Sequence, residues 1–158
     1  MTRGKALLIT NDKKILCSIE FNGDMYPEGY GRTFLNELNK VDSEEDFERF
    51  IFEFNRDNHD YKAERLVFTE TGFDVDGLSQ AINWSKMIIT MTEENYFYLF
   101  FSDWTFWKNI SNETVKIKTR NKKTITLEPG QAVAIKFGES KDCYRPDRKE
   151  VNLERTHR

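Results

Sequence analysis

Lys5-Ala6-Leu7-Leu8-Ile9-Thr10, Asn11-Asp12-Lys13-Lys14 and Ile15-Leu16-Cys17-Ser18-Ile19-Glu20-Phe21 follow one another without interruption. Two short aliphatic, β-branched runs flank four polar residues, a pattern that predicts a β-hairpin with a polar turn. The first run is apolar at successive positions, so both of its faces are expected to be buried and the strand to lie at the centre of a sheet.

Beyond the hairpin comes Asn22-Gly23-Asp24-Met25-Tyr26-Pro27-Glu28-Gly29-Tyr30-Gly31, three glycines and a proline within ten residues. Such a stretch, between a strand pattern and a helix pattern, needs special backbone dihedrals and is where sites often sit. Two readings stand side by side. In the packing reading the glycines take positive φ, Pro27 fixes one turn, Tyr26 plugs the helix base and Asp24 caps the loop's amides. In the functional reading Arg3, Asn22, Asp24 and Tyr26 line a small polar pocket where strand ends meet the helix N-terminus.

From Gly31 the period becomes helical, with Phe34, Leu35 and Leu38 on one face and an end near Lys40. Asp42 stands three residues before Glu45 as an N-cap pair, and Phe47, Phe50, Ile51 and Phe54 predict a second helix over about 43–56. Its other face, Glu44, Glu45, Glu48, Arg49 and Glu53, reads as solvated surface. Leu66-Val67-Phe68 predicts a strand. Asp76-Gly77 is a possible start of a third helix, while 86–92 fits a strand equally well, and Tyr96 to Phe101 reads as a strand buried on both faces. After Phe106 the chain looks all-β: Val115, Ile117 and Thr119, then Ile125 and Leu127, then Ala132 to Phe137, with a type II turn at Pro129-Gly130. These three runs predict an antiparallel meander.

The expected fold is therefore α+β, a mostly antiparallel sheet with an N-terminal hairpin, two to three helices and a C-terminal β-meander. A chain of 158 residues matches one domain, placed at 1–138, followed by a charged tail at 139–158. Hydrophobic residues make up 38% and aromatics 14%, including thirteen Phe, so the core is built from large flat side chains. The longest apolar run, Tyr96 to Phe101, is far too short to cross a bilayer, and the early residues do not resemble a signal peptide. A cytoplasmic location is expected. Cys17 and Cys143 make neither a disulfide framework nor a zinc motif.

A net charge of −3 hides an asymmetry. Residues 1–104 carry 11 Lys and Arg against 20 Asp and Glu, while 105–158 carry 13 against 7. Self-complementarity within one fold is one reading. The other is a basic meander, Lys116, Lys118, Arg120, Lys122 and Lys123, facing nucleic acid or a nucleotide, with nearby aromatics as stacking platforms.

Catalytic material is sparse. His59 and His157 supply no triad or three-histidine site, and Cys17 as a nucleophile requires His59 beside it. Asp74 and Asp76 beside Gly77 lack the later ligands of a calcium loop, and Gly29-Tyr30-Gly31 lacks the Lys-Ser/Thr of a phosphate loop. Neither metal nor cofactor is expected.

Thr2-Arg3-Gly4, the hairpin and Phe21 to Gly31 resemble a set of uncharacterised bacterial and phage proteins over about the first 40 residues. Those proteins begin Gly-Thr-Arg-Gly and continue Tyr-Asn-His-Phe-Asp-Ser-Tyr-Pro-x-Gly-Leu-Gly. In this chain Phe21 replaces the first Tyr, and Gly23-Asp24-Met25 stands where the histidine would be. The resemblance implies a shared N-terminal fold. The topology is also similar to that of N-terminal-nucleophile hydrolases, which would make Thr2, freed of Met1, the nucleophile with its own amine as base. The expectation is a small non-enzymatic phage or prophage protein that acts by binding a host macromolecule, with inhibition as one outcome. Its partner is a host protein or a second copy of the chain. The alternatives are a Thr2 hydrolase and a nucleic-acid or nucleotide binder.

Overall fold

A computed structural model describes residues 3–18, 23–58, 65–69, 82–90, 103–119, 123–136 and 143–147. The hairpin forms as expected: β1 (Gly4–Thr10) pairs antiparallel with β2 (Lys14–Ser18), Leu8 opposite Leu16. Asp12 and Lys13 turn the chain with φ of 65° and 54°. After the loop come α1 (Arg32–Leu38), α2 (Glu44–Asn58) and β3 (Arg65–Thr69). Then follow β4 (Ile82–Asn83), β5 (Ile88–Thr90), β6 (Trp104–Asn109), β7 (Val115–Lys118), β8 (Thr124–Leu127), β9 (Ala132–Lys136) and β10 (Cys143–Tyr144).

These strands make two sheets, one in the order β10-β9-β6-β1-β2-β3 and the other β4-β5-β7-β8. The three layers are helices, six-stranded sheet and four-stranded sheet. Ala6, Leu8, Leu16, Phe106, Ala132 and Ala134 face the helices, where Phe34, Leu35, Leu38, Phe47 and Ile51 meet them. Leu7, Ile9, Ile15, Cys17, Trp107, Val133 and Ile135 face the small sheet, where Ile89, Val115, Ile117, Ile125 and Leu127 meet them. Strand β1 is central and buried on both faces, as its unbroken apolar run requires.

The α+β class holds, with two corrections. The sheets are mixed and not mostly antiparallel: β1 runs parallel to β6, Leu7 beside Trp107, and β5 runs parallel to β7. Parallel pairing joins segments far apart in the chain, and side-chain alternation carries no record of strand direction. The meander also divides. β7 and β8 form a hairpin in the small sheet, but β9 crosses over to pair with β6. The reason lies in the burial pattern. β7 and β8 alternate buried and open positions as an outer layer does, whereas Ala132-Val133-Ala134-Ile135 is buried throughout and fits only between two layers.

Two helices are present among the described residues, and none is long and apolar enough to cross a membrane. The cap of α2 sits one residue later than the spacing predicts. Ser43 Oγ accepts from the Asp46 amide at 3.1 Å, and the Asp46 carboxylate accepts from the Asp42 amide at 3.2 Å. A serine hydroxyl fits the N-cap and leaves the acid to the first turn, where the helix dipole favours it. Those hydrogen bonds hold the Asp46 carboxyl below its ordinary range, with help from Arg49. The suggested third helix from Asp76 and the strand from Tyr96 lie outside the described residues.

Candidate functional site: a tyrosine loop and a lysine face

The loop before α1 winds back on itself. Tyr30 N–H donates to the Asp24 carbonyl at 2.6 Å, and the Gly29 and Gly31 amides donate to the Tyr26 carbonyl at 2.9 and 3.0 Å. Pro27–Gly31 thereby makes one wide, π-helical turn that runs into α1. The glycines serve close approach and not positive φ: Gly29 has φ −98° and Gly31 φ −56°. A Cβ on Gly29 would run into the Asp24 carbonyl. One on Gly31 would run into the Met25 and Tyr26 carbonyls and the Tyr144 hydroxyl.

Met25, and not Tyr26, plugs the helix base. It is buried against Gly4, where Phe106 also leaves no room for a side chain. Tyr26 and Tyr30 point outward, 37% and 52% exposed. The expectation that Asp24 caps the loop is met by its backbone carbonyl. Arg3 stands at the start of β1, where its amide donates to Asp103 Oδ2 at 2.8 Å and its carbonyl accepts from the Asp103 and Trp104 amides. Arg3 and the loop thus share one end of the six-stranded sheet. Asn22 and Thr2 lie outside the described residues.

Residues from the expected tail brace this loop, with Tyr144 as the packing point. β10 pairs with the edge of β9, Tyr144 opposite Ala134. The Tyr144 ring meets Trp104 edge-on at 5.3 Å, the Arg32 guanidinium lies 5.1 Å over it, and burial pushes its hydroxyl pKa up. Asp147 accepts from Arg32 at 2.8 Å and from Asn36 at 3.0 Å, and these donors hold its carboxyl below the usual range.

At the opposite end, buried Lys108 reaches the Asn39 carbonyl at 2.6 Å and so closes the C-terminus of α1. Desolvation lowers its pKa, with Asp42 opposing. Asn109, fully buried, is a feature unread in the sequence. Its amide nitrogen donates to the Glu113 and Leu127 carbonyls at 2.9 and 3.0 Å, and its amide oxygen accepts from Ser111 N–H at 3.0 Å. Here the chain passes from one sheet to the other at both β6–β7 and β8–β9. Gly130, at φ 87°, completes the expected type II turn, with Gln131 N–H donating to the Glu128 carbonyl.

Of the basic residues singled out, Lys116 and Lys118 are exposed side by side on the outer face of the small sheet, and Lys123 is exposed beyond them. With Ile88 and Thr124 they line a hollow of about 230 Å³. Arg120 and Lys122 lie outside the described residues. No acidic residue occurs in β4, β5, β7 or β8. Among the described residues no group of His, Cys, Asp and Glu is arranged to hold a metal. Compared with protein-family models, with curated proteins and with solved structures, the chain finds no match.

Proposed function

We propose that this chain is a non-enzymatic binding protein that engages a host macromolecule through the Tyr26–Tyr30 loop. One observation carries the reading: two exposed tyrosines are held out on a backbone that three hydrogen bonds fix and that two glycines without room for a Cβ pack tightly. Tyrosine is enriched at binding hot spots because it combines a large apolar ring with a polar tip and few rotors. Ordering such a loop before contact removes a cost that a floppy one meets on binding, so affinity per contact is higher. Asp24 and Glu28, exposed beside the tyrosines, suit a partner surface with basic and apolar character.

The resemblance of the first 40 residues to bacterial and phage proteins suits a partner from a bacterial host, whose working surface binding could occlude. The test is affinity capture from bacterial lysate, comparing the native chain with Tyr26→Ala/Tyr30→Ala and following it with reconstitution of the captured species. The variant's melting temperature is followed alongside, since Tyr26 is only 37% exposed. Loss of a specific, reconstitutable partner supports the loop as contact surface. Retention of that partner by the variant, or turnover of a substrate by the native chain, overturns it.

A further inference from the structure

The two outer layers of the molecule carry opposite charge and complementary shape. On α2 the outward face presents Phe52, 55% exposed, with Glu48 one turn before it, Glu45 a turn further and Glu53 alongside. Arg49 on that face is turned toward Asp46 at 3.1 Å, and α2 as a whole carries six Asp and Glu against Arg49 and Arg56. On the far side of the molecule the small sheet presents the hollow of about 230 Å³ between Ile88, Lys116, Lys118 and Thr124. A cavity of about 150 Å³ suffices for a benzene ring, so this one has room for a phenyl side chain.

We propose that the chain associates head to tail with copies of itself, Phe52 of one copy seated in the Ile88 hollow of the next and its flanking glutamates against Lys116 and Lys118. Lys116 and Lys118 are two residues apart on one strand and on one side of it, about 7 Å from each other. The two lysine side chains leave the strand at that spacing and both line the hollow, a repeat that matches carboxylates on successive helical turns. Ile88 supplies the apolar floor and the lysine stems its walls, with the ammonium groups close to the ring face.

The two patches lie on opposite layers of the three-layer fold, so the contact is heterologous. It does not close into a symmetric dimer and generates an open chain of subunits. One helix face against one face of a four-stranded sheet falls in the small class of interfaces, below about 1,200 Å² in total. Association is accordingly weak, with Kd of about 10 μM to 1 mM, and salt-sensitive because the charges are exposed.

Sedimentation and light scattering on the full chain test this across that concentration range at low and high salt. The expected result is a mass that rises continuously with concentration and falls back to the monomer at high salt. Phe52→Ser alone and Lys116→Glu/Lys118→Glu alone, both at exposed positions that spare folding, are each expected to stay monomeric. Mixed in equal amounts, they are expected to form a 1:1 heterodimer and nothing larger, since the mixture holds one intact Phe52 face and one intact hollow. Three results would each overturn the proposal: a native chain that remains monomeric throughout, variants that still self-associate, or a mixture that stays monomeric. Salt-dependent binding of a single-stranded oligonucleotide by a monomeric native chain, abolished by Lys116→Glu/Lys118→Glu, would give the lysine face a nucleic-acid partner and likewise end it.

Discussion

The two faces of the six-stranded sheet are packed by different means. Toward the helices the sheet offers Gly4, Ala6, Ala132 and Ala134 beside Leu8, Leu16 and Phe106, and the small residues leave space for aromatic side chains. Phe34 fills it, with ring centres 4.9, 4.7 and 4.8 Å from Phe50, Phe54 and Phe106. Toward the small sheet the same strands offer Leu7, Ile9, Ile15, Val133 and Ile135, which interdigitate with Ile89, Val115, Ile117 and Leu127. The small positions thus admit rings from the helices, while the branched aliphatics interlock with the second sheet.

The comparison predicts unequal responses to mutation. Phe34→Ala removes one ring that joins α1, α2 and β6, and is expected to cost about 3–5 kcal/mol in urea denaturation. A loss below about 1 kcal/mol would mean that the helix layer does not depend on that ring. Asn109→Ala strips partners from the Glu113 and Leu127 carbonyls where the two sheets join, for an expected loss of about 3 kcal/mol. Hydrogen exchange should then open β7 and β8 before β1, and uniform exchange would show that the joint is not local.

Cys17 probes the dryness of the sheet-to-sheet face. Burial pushes its thiol up to about 11 from 9.0, against a small opposing effect of Lys5. Between pH 9 and 11 the unfolded chain ionises this thiol while the folded chain keeps its proton, so stability falls as pH rises, by about 2 kcal/mol across the window. Subtracting the profile of Cys17→Ala isolates this contribution from Lys108, whose depressed pKa acts in the opposite direction. A flat difference would place water beside Cys17. The smallest effect is expected from Ile117→Val, about 1 kcal/mol, because a single methyl is lost from an interface of many similar contacts.

Much of this architecture was legible in the residues. The unbroken run Ala6 to Ile9 required a strand covered on both sides, and the Phe47, Phe50, Ile51, Phe54 period required a helix over a core. Pro129-Gly130 specified its own turn type. The separation of β9 from β7 and β8 was missed and the three were misread as one meander, although Ala132 to Ile135 lacks the alternation of Val115 to Lys118. The loop glycines were correctly singled out but misread, because a glycine that avoids a carbonyl looks the same in sequence as one that takes positive φ. Tyr144 stood out as an aromatic in a charged tail, whereas Asn109 gave no local signal, since it acts on residues brought near it by the fold.

The chain by itself determined the α+β class, the central place of β1, the amphipathic helix and the opposed charges of its two halves. These follow from local periodicity and composition, which act over one or two turns of backbone. Tertiary structure alone decided that β1 and β6 run parallel, that the acidic helix and the lysine face come to lie on opposite layers, and that Met25 is buried while Tyr26 and Tyr30 are turned outward. Each of those outcomes depends on contacts between residues far apart in the chain, where excluded volume and the pairing of buried backbone groups choose among arrangements that local pattern leaves equal.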